Sequence, residues 1–378
     1  MKNVKMLTGL LLVDAPASAL NNAGIDQSQR DRNVVVVKKI RYRGGQEYPY
    51  VSGQAFKRWW RDTIHRKFAW SPSSITREEK VAYTEANPVL HEEDDIFGYM
   101  LAPKQKIGQM NLVSGLSYRR IAPLKCTPLV SIFSDTIQKP DFGVFARSDE
   151  TQAEPTPFEQ EFYSTVLKGA FSLMLSEIGM FAMGRAKDLP SFNDATQALS
   201  GKKKDENAEA QIAGFKKKVE NIIQSAKDRK ATVDETNTLI ALPLEERKKR
   251  AREALLSLSE LNGGAKGSTY LTDVAPRFII ASVLSCANHI FMDVIKPNST
   301  KPTLDTDVLK EIVKDYQNHF ASPIYIGLRK GFFDETQYQE ICNMKEIDTG
   351  EKKIPVIFGT PHQTLENLSK YIDTMEAL

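Results

Sequence analysis

Apolar and polar residues near the start of the chain predict a buried strand followed by a loop. The run over 7–13 is almost entirely apolar, which is typical of a strand with both faces covered. Residues 14–29 are rich in Pro, Ser and Asn, which favour turns. Two lysines before the run resemble the start of a secretory signal. The run is short, however, and Asp14 closes it, so a first strand is the simpler interpretation.

The clearest strand pattern lies over 33–43. Its second half alternates between apolar and basic residues, so the two kinds would point to opposite faces of a sheet. Ile40 and Tyr42 would join a core. The other face would present a row of cations: Lys39, Arg41 and Arg43. A solvated sheet face fits the same alternation, so the pattern alone leaves both interpretations open.

An amphipathic helix is predicted next. Gly44 and Gly45 end the strand, and Ser52 can cap a helix that runs to about Trp70. One stripe of this helix is apolar: Phe56, Trp59, Trp60, Ile64 and Phe68. The remaining surface is largely basic: Lys57, Arg58, Arg61 and His65. The tryptophans could stack on bases, but their place in the apolar stripe favours core packing.

Later segments predict further strands and a hairpin. Short apolar runs alternate with Pro and Gly and predict strands over 115–121, 129–133 and 142–146. A polar tip over 148–157, followed by renewed apolar character over 161–178, predicts a long projecting hairpin.

The composition changes at about Gly184. Residues 201–230 hold nine basic and five acidic side chains and very few large apolar ones, and residues 244–261 predict an amphipathic helix. Both indicate an inserted helical lobe with a solvated charged face. Residues 262–268 form a glycine-rich loop with one lysine. They lack the spacing of a P-loop, so phosphate contact and a plain turn fit equally well.

Net charge is concentrated in one segment. Residues 30–67 contain eleven Lys and Arg residues and three acidic residues, a net charge of +8 in a chain whose total is +3. The rest of the chain therefore has a net charge of −5. A folded patch of this kind attracts polyphosphate and releases counterions when it binds. We interpret the segment as a nucleic-acid cradle.

Other residue types exclude several classes of site. The three cysteines form no Cys-x-x-Cys pair, so they predict neither a disulfide framework nor a zinc site and suit a reducing cytoplasm. The acidic run over 91–95 is predicted to be a solvated loop, because consecutive acids point in different directions. Polar residues interrupt the apolar stretch over 278–295, which indicates a core element and no membrane span.

Four ordered segments resemble a known family. Residues 50–62 (Tyr-Val-Ser-Gly-Gln-Ala-Phe-Lys-Arg-Trp-Trp-Arg-Asp) resemble the first helix of the RAMP superfamily of CRISPR proteins. The others are Asp95-Ile-Phe-Gly-Tyr-Met100, Ala122-Pro-Leu-Lys125, and Gly263-Gly-Ala-Lys266 leading to Leu271-Thr-Asp-Val-Ala-Pro276. Together they resemble the DevR-type "Cas seven" backbone subunit of type I-B Cascade. The resemblance covers about 7–183 and 260–340, and the insert matches only loosely.

The resemblance implies an α+β fold with a modified RRM-like, ferredoxin-like palm, which has an antiparallel sheet, an inserted helical finger lobe and a thumb β-hairpin. The palm would begin in 1–183, with the thumb at about 143–170. The helical lobe would occupy 184–261, and residues 262–378 would complete the palm and form a C-terminal segment.

The resemblance also implies a function without catalysis. Copies of the subunit would stack head to tail along CRISPR RNA in the cytoplasm. They would grip its phosphates and present its bases to target DNA, beside other Cascade subunits and without a membrane, a metal or a cofactor. Such a scaffold must accept any spacer sequence and should therefore read backbone and shape.

The expected RNA contacts lie in four regions. The resemblance places contacts at the first helix, in the loop after the first strand and in the later glycine loop: Ser52, Gly53, Gln54, Lys57, Arg58, Asn21, Asn22, Gly263, Gly264, Lys266 and Ser268. Charge on the basic strand and helix adds Arg41, Arg43 and Arg61. The helix N-terminus offers free N–H groups to a phosphate, and Gly53 would allow close approach.

Three rival functions remain open. Related subunits of type III complexes cut target RNA with an Asp in the loop after the first strand, and Asp14 lies at the start of such a loop. A guide-processing endonuclease would use a His such as His65, for which the sequence shows no second catalytic partner. A generic RNA chaperone would need no guide at all.

Overall fold

The computed structural model describes residues 5–25, 34–42, 44–78, 81–101, 106–107, 110–111, 117–145, 156–184, 186–197 and 206–378. The helices are α1 (Gly53–Lys67), α2 (Glu92–Phe97), α3 (Phe192–Gln197), α4 (Glu206–Asp228), α5 (Leu244–Leu256), α6 (Gly267–Tyr270), α7 (Thr306–Asp315), α8 (Glu335–Asn343) and α9 (Pro361–Thr374). Two short 3₁₀ turns are Leu175–Glu177 and Ser257–Glu260.

The strands of the first half are β1 (Met6–Ser18), β2 (Asn22–Ile25), β3 (Val34–Val37), β4 (Lys39–Arg41), β5 (Glu47–Val51), β6 (Thr76–Glu78), β7 (Val81–Tyr83), β8 (Tyr99–Leu101), β9 (Lys106–Ile107), β10 (Met110–Asn111), β11 (Tyr118–Arg120), β12 (Leu124–Cys126), β13 (Leu129–Ser131), β14 (Asp141–Phe145), β15 (Thr156–Gln160), β16 (Tyr163–Met174) and β17 (Met180–Ala182). The remaining strands are β18 (Thr232–Val233), β19 (Leu239–Ala241), β20 (Phe278–Leu284), β21 (Ile295–Asn298), β22 (Lys301–Leu304), β23 (Ile324–Leu328), β24 (Glu346–Asp348) and β25 (Lys353–Gly359).

A large mixed sheet organises this α+β fold. Its strand order is β24-β25-β23-β20-β1-β16-β13-β5-β4, and β12 also pairs with β16. All these pairs are antiparallel except β23 with β25. The predicted strand over 7–13 is confirmed as the middle of β1, with Leu10 opposite Ala170 of β16 and Ile280 of β20. The long strand β1 therefore lies at the centre of the sheet.

Both faces of β1 are covered, which explains its continuous apolar sequence. Leu7 and Leu11 belong to a core cluster that includes side chains of α1, α5 and α9. Leu10 and Leu12 belong to a second cluster that includes side chains of α7 and α8. A third cluster joins α4, β17 and β19 to buried side chains of the segment over 83–118.

Helix α1 begins as predicted and ends three residues earlier, at Lys67. The Ser52 side chain accepts a hydrogen bond from the Ala55 N–H at 3.3 Å, which caps the first turn. Trp60 is fully buried, and its ring nitrogen donates to the Ala254 carbonyl of α5 at 2.8 Å. Trp59 is also buried. The tryptophans therefore pack in the core, as their position in the stripe predicts.

The predicted strand over 33–43 is wrong in one respect, because its described part forms two strands in two different sheets. The break lies at Lys38, whose N–H donates to the Asn21 carbonyl and whose carbonyl accepts from the Tyr50 N–H, each at 2.9 Å. β3 then pairs with β2 and β15, whereas β4 pairs with β5. Asn33 and Arg43 lie outside the described residues.

Later elements follow the predictions in part. The strands predicted over 115–121, 129–133 and 142–146 appear as β11, β13 and β14. β14 and β15 form an antiparallel hairpin. Residues 146–155 between them lie outside the described residues. β16 returns to the main sheet. In the described part of the chain, no helix is long and apolar enough to span a membrane.

The acidic run over 91–95 is the clearest error of the sequence prediction, because it forms α2 and is largely buried. Each acid finds a partner that is distant in the sequence: the Glu92 carboxylate accepts from the Ser71 N–H at 3.0 Å, and Asp94 accepts from the Ser73 hydroxyl at 2.9 Å. Asp95 is completely buried. Local sequence gives no sign of these partners.

Asp95 joins four parts of the chain. Its carboxylate binds the guanidinium groups of Arg120 and Arg250, the latter at 2.8 Å, and accepts from the Gly179 N–H at 2.9 Å. Arg250 is also fully buried and donates to the Pro88 carbonyl at 2.8 Å. The cluster fixes α5 against α2 and β11.

We expect Asp95→Ala to lower the free energy of unfolding by about 3–5 kcal/mol, because it leaves two buried guanidinium groups without their carboxylate. Urea denaturation of the variant and the wild type measures the difference. Asp62→Ala is the matched control, since it removes the acid of the exposed Arg58–Asp62 pair and should cost less than about 1 kcal/mol. Equal effects of the two substitutions would contradict the role of the cluster.

Candidate nucleic-acid interface

Three segments that are far apart in sequence meet at the loop after β1. The Asn21 side-chain oxygen accepts a hydrogen bond from the Ser52 N–H at 2.9 Å. The carbonyl of the preceding residue, Leu20, accepts from the Ala265 N–H at 2.9 Å. The start of α1, the loop after β1 and the glycine loop are therefore in direct contact. We call this group of residues (Leu20, Asn21, Ser52, Gly263 and Gly264) the loop junction.

Packing requires both glycines of the loop junction. A Cβ atom on Gly263 would lie 2.2 Å from the Trp59 ring, and one on Gly264 would lie 2.5 Å from a Leu20 methyl carbon. Gly264 also has a φ of +106°, a backbone angle that residues with a side chain rarely adopt. Gly53 differs, because its nearest neighbour would be a carbonyl oxygen at an ordinary 3.7 Å.

The exposed surface beside the loop junction carries the start of α1. Gln54 and Arg58 are exposed, and Lys57 is half-buried. Arg58 forms a solvent-exposed ion pair with Asp62 at 3.5 Å, whereas Lys57 forms no hydrogen bond or ion pair with any described residue. Burial raises the pKa of the Cys126 thiol to about 11, although Lys57 acts in the opposite direction. Burial therefore disfavours the thiolate, which is the nucleophilic form of this side chain.

Two other members of the basic helix face are compensated within the protein. Arg61 and His65 lie 3.5 and 3.0 Å from the same Glu93 oxygen, and Arg61 also covers the Phe97 ring. The Glu93 carboxylate additionally accepts from the Ser73 N–H at 2.5 Å. Sequence reasoning therefore missed Glu93 as a partner of His65. The same carboxylate also anchors the loop at Ser73.

The cations of the basic strand β4 are also paired with carboxylates of the protein. Arg41 donates to Glu47 at 2.8 Å and remains largely exposed, whereas Lys39 lies between Glu47 and Glu161 at 3.6 and 3.4 Å. The hydrogen bond from Arg41 is the main cause of a lowered pKa of Glu47. Arg43 lies outside the described residues.

The glycine loop continues onto the β14–β15 hairpin. Lys266 is exposed, with a φ of +56°, and its ammonium lies 6.0 Å from the centre of the Phe158 ring on β15. Ser268 is exposed on α6, and Tyr270 stacks on Phe162 with ring centres 6.2 Å apart. Asn22 begins β2 close to the loop junction. Its side-chain oxygen is buried and has no partner among the described residues.

The sequence did not point to an apolar surface on this hairpin. Phe142 and Phe158 are exposed there, and Leu271 after α6 is 85% exposed. Phe142 and Val144, two positions apart on β14, were the available signal, but such alternation usually marks a core face.

Asp14 lies within β1, opposite Val166 of β16, and not at the start of a loop as the sequence predicts. Burial raises the pKa of Asp14 above its ordinary value, and the nearby Arg277 opposes this shift. In the described part of the chain, no cluster of three or more His, Cys, Asp or Glu residues could hold a metal ion. The surroundings of Asp14 are cationic, which is unfavourable for a divalent cation.

Comparison with solved structures finds similar folds. A chain of a "CRISPR RNA-guided surveillance complex, pre-nicking" aligns with a TM-score of 0.53 at 9% identity, covering 97% of this chain and all of the other. A chain of a "CRISPR RNA-guided surveillance complex" aligns with a TM-score of 0.47 at 10% identity, covering 97% of this chain and 99% of the other. The first likeness supports the fold alone.

The curated proteins contain no match to this sequence. The model of one protein family, however, matches residues 13–306, which include the end of β1, the loop junction, the helical insert and β20. The chain therefore belongs to the CRISPR-associated negative auto-regulator DevR/Csa2 family.

Proposed function

We propose that this chain is a non-catalytic backbone subunit of a type I-B Cascade effector in the cytoplasm. Copies of it polymerise head to tail along CRISPR RNA, hold the RNA by its phosphates and present its bases to target DNA, beside other Cascade subunits. Family membership supports the CRISPR role. The loop junction carries the proposal, because it brings the expected RNA-binding segments together on one surface.

The topology supports an RRM-like palm as part of this proposal. Four strands stand in the order β20-β1-β16-β13. Along the chain, α1 lies between β1 and β13, and α5 lies between β16 and β20. This is the order and connectivity of a ferredoxin-like βαββαβ unit. The palm then spans 1–183 and 262–378 together with α5, its second helix, which lies within the insert proposed at 184–261. The β14–β15 hairpin marks the thumb proposed at about 143–170.

The electrostatics favour recognition of backbone over recognition of bases. The groups at the surface around the start of α1 are cations and backbone or small polar groups: Ser52, Gly53, Gln54, Lys57 and Arg58. Such groups bind phosphates regardless of sequence, which a guide scaffold requires. A binding site that read particular bases would restrict the spacers that the complex could use.

The RNase alternative with Asp14 is less well supported. Its carboxylate is half-buried in a strand beside Arg277, where the environment disfavours both the ionised carboxylate and a metal ion. The processing alternative with His65 has a carboxylate partner in Glu93. That carboxylate already accepts from Ser73 and pairs with Arg61, which is typical of a structural role.

Lys57→Ala combined with Arg58→Ala should weaken RNA binding equally for all spacer sequences. Each lost phosphate contact should also flatten the slope of log affinity against log salt by about 0.7. Fluorescence anisotropy with several labelled single-stranded RNAs at a series of salt concentrations measures both effects. Lys216→Ala with Lys217→Ala on α4 is the charge-matched control. A loss confined to particular spacers would contradict backbone recognition.

The number of copies per particle should increase with guide length, because each copy covers a fixed stretch of RNA. Native mass spectrometry of particles assembled on guides of different lengths gives this number. Random coating of unrelated RNA, with no relation between copy number and guide, would favour the RNA chaperone instead.

A guide-loaded complex should leave complementary RNA intact in the presence of Mg²⁺. Denaturing gel electrophoresis of end-labelled target RNA follows the reaction, with Asp14→Ala assembled in parallel. If the wild-type complex cleaved the RNA and the variant did not, the RNase alternative would replace this proposal.

A further inference from the structure

A cavity of about 360 Å³ lies beside the second half of β1, and none of its lining residues belongs to the loop junction. Its walls come from β1, β16, the residue before β20, the β21–β22 hairpin and the turn after β23. Four cations and one acid line it: Arg277, Lys301, Arg329, Lys330 and Asp14. We call these five residues and the space between them the cationic pocket. Its volume is at the lower end of the range for small-molecule clefts.

The main sheet brings these cations together. The Arg277 N–H donates to the Leu12 carbonyl of β1, and the Arg329 N–H donates to the Arg277 carbonyl, each at 2.8 Å. Residues next to β1, β20 and β23 are therefore held side by side at one end of the sheet. Lys301 connects the β21–β22 hairpin to the same place, because its ammonium lies 3.4 Å from the carbonyls of Gly331 and Phe333.

The positive charge of the pocket is only partly compensated. Arg277 pairs with Asp273 at 3.1 Å, and Lys301 lies 3.7 Å from Asp334. The side chains of Arg329 and Lys330 are exposed and form no hydrogen bond or ion pair with the residues that the structure describes. Scattered surface lysines are usually solvated, but here two unpaired cations and two paired ones surround one concave space. Such a site favours an anion.

The pocket is connected to the proposed RNA surface by a short segment of chain. The glycine loop leads through Thr272, whose hydroxyl lies 2.7 Å from the Ser18 hydroxyl at the end of β1. The next residue, Asp273, pairs with Arg277 of the pocket. A nucleic-acid strand that follows this end of the sheet would therefore pass from one cationic surface to the other.

We propose that the cationic pocket binds a phosphodiester group of the single-stranded nucleic acid that the subunit carries. Arg329 and Lys330 supply the unpaired charges, and Arg277 and Lys301 supply fixed ones. Asp14 limits the affinity, because its carboxylate opposes an anion when it is ionised. This inference rests on the proposed function and adds a second phosphate site to the one at α1.

The test uses the full chain and a labelled single-stranded RNA that is too short for two copies. Arg329→Ala with Lys330→Ala should weaken binding on the order of tenfold and flatten the salt dependence. Arg329→Lys with Lys330→Arg keeps both charges and should retain the affinity. Lys216→Ala with Lys217→Ala removes the same charge from α4 and should have no effect. Asp14→Asn should tighten binding.

Several outcomes would overturn the proposal. Unchanged affinity of the alanine double variant would do so while RNA binding through α1 stands, since Lys57→Ala with Arg58→Ala would still weaken binding. A defect seen only on long RNA would assign the pocket to an acidic side chain of a neighbouring copy. Failure of the wild-type chain to bind RNA at all would overturn the proposed function and this inference with it. Circular dichroism of each variant distinguishes lost contacts from lost fold.

Discussion

The candidate interface depends on close packing between the glycine loop and α1. The contacts run along one side of the helix, from the Lys67–Glu260 ion pair at 2.6 Å, through the Thr63 hydroxyl that accepts from the Asn262 N–H, to Gly263 against the Trp59 ring. Only a residue without a side chain fits at the last position. Because this packing also brings Ala265 to the Leu20 carbonyl, the loop after β1 is held in the same arrangement.

A buried ion cluster stabilises the framework on which this packing rests. Asp95 binds Arg250 of α5. The ring nitrogen of Trp60 in α1 donates to the Ala254 carbonyl, which also lies in α5. Helix α5 leads directly into the segment that lies along α1. Charged groups are costly to bury unless their partners and hydrogen bonds are complete, and here they are supplied by α2, β11, α5 and main-chain carbonyls. The polar cluster thus joins α5 to α2 and β11.

Folding pairs part of the positive charge in the first part of the chain with carboxylates. Arg41, Arg61 and His65 acquire carboxylate partners from Glu47 and Glu93, so part of the apparent patch serves the fold. Lys57 keeps its charge without such a partner among the described residues, and Arg329 and Lys330 do the same at the far end of the sequence. The cations available to a polyanion are therefore fewer than the sequence suggests in 30–67 and more numerous beyond 276.

The sequence alone determined the elements whose signals are local. The apolar run of β1, the Ser52 cap and the tryptophan stripe of α1 follow from hydrophobic period and capping chemistry, which neighbouring residues specify. The resemblance identified the glycine loop as important. Only the tertiary structure decided that its glycines fit against Trp59 and Leu20, that residues 91–95 form a buried helix, and that Asp14 lies among cations. These features depend on partners 20 to more than 200 positions away. Local sequence does not specify which distant charges and surfaces will pair.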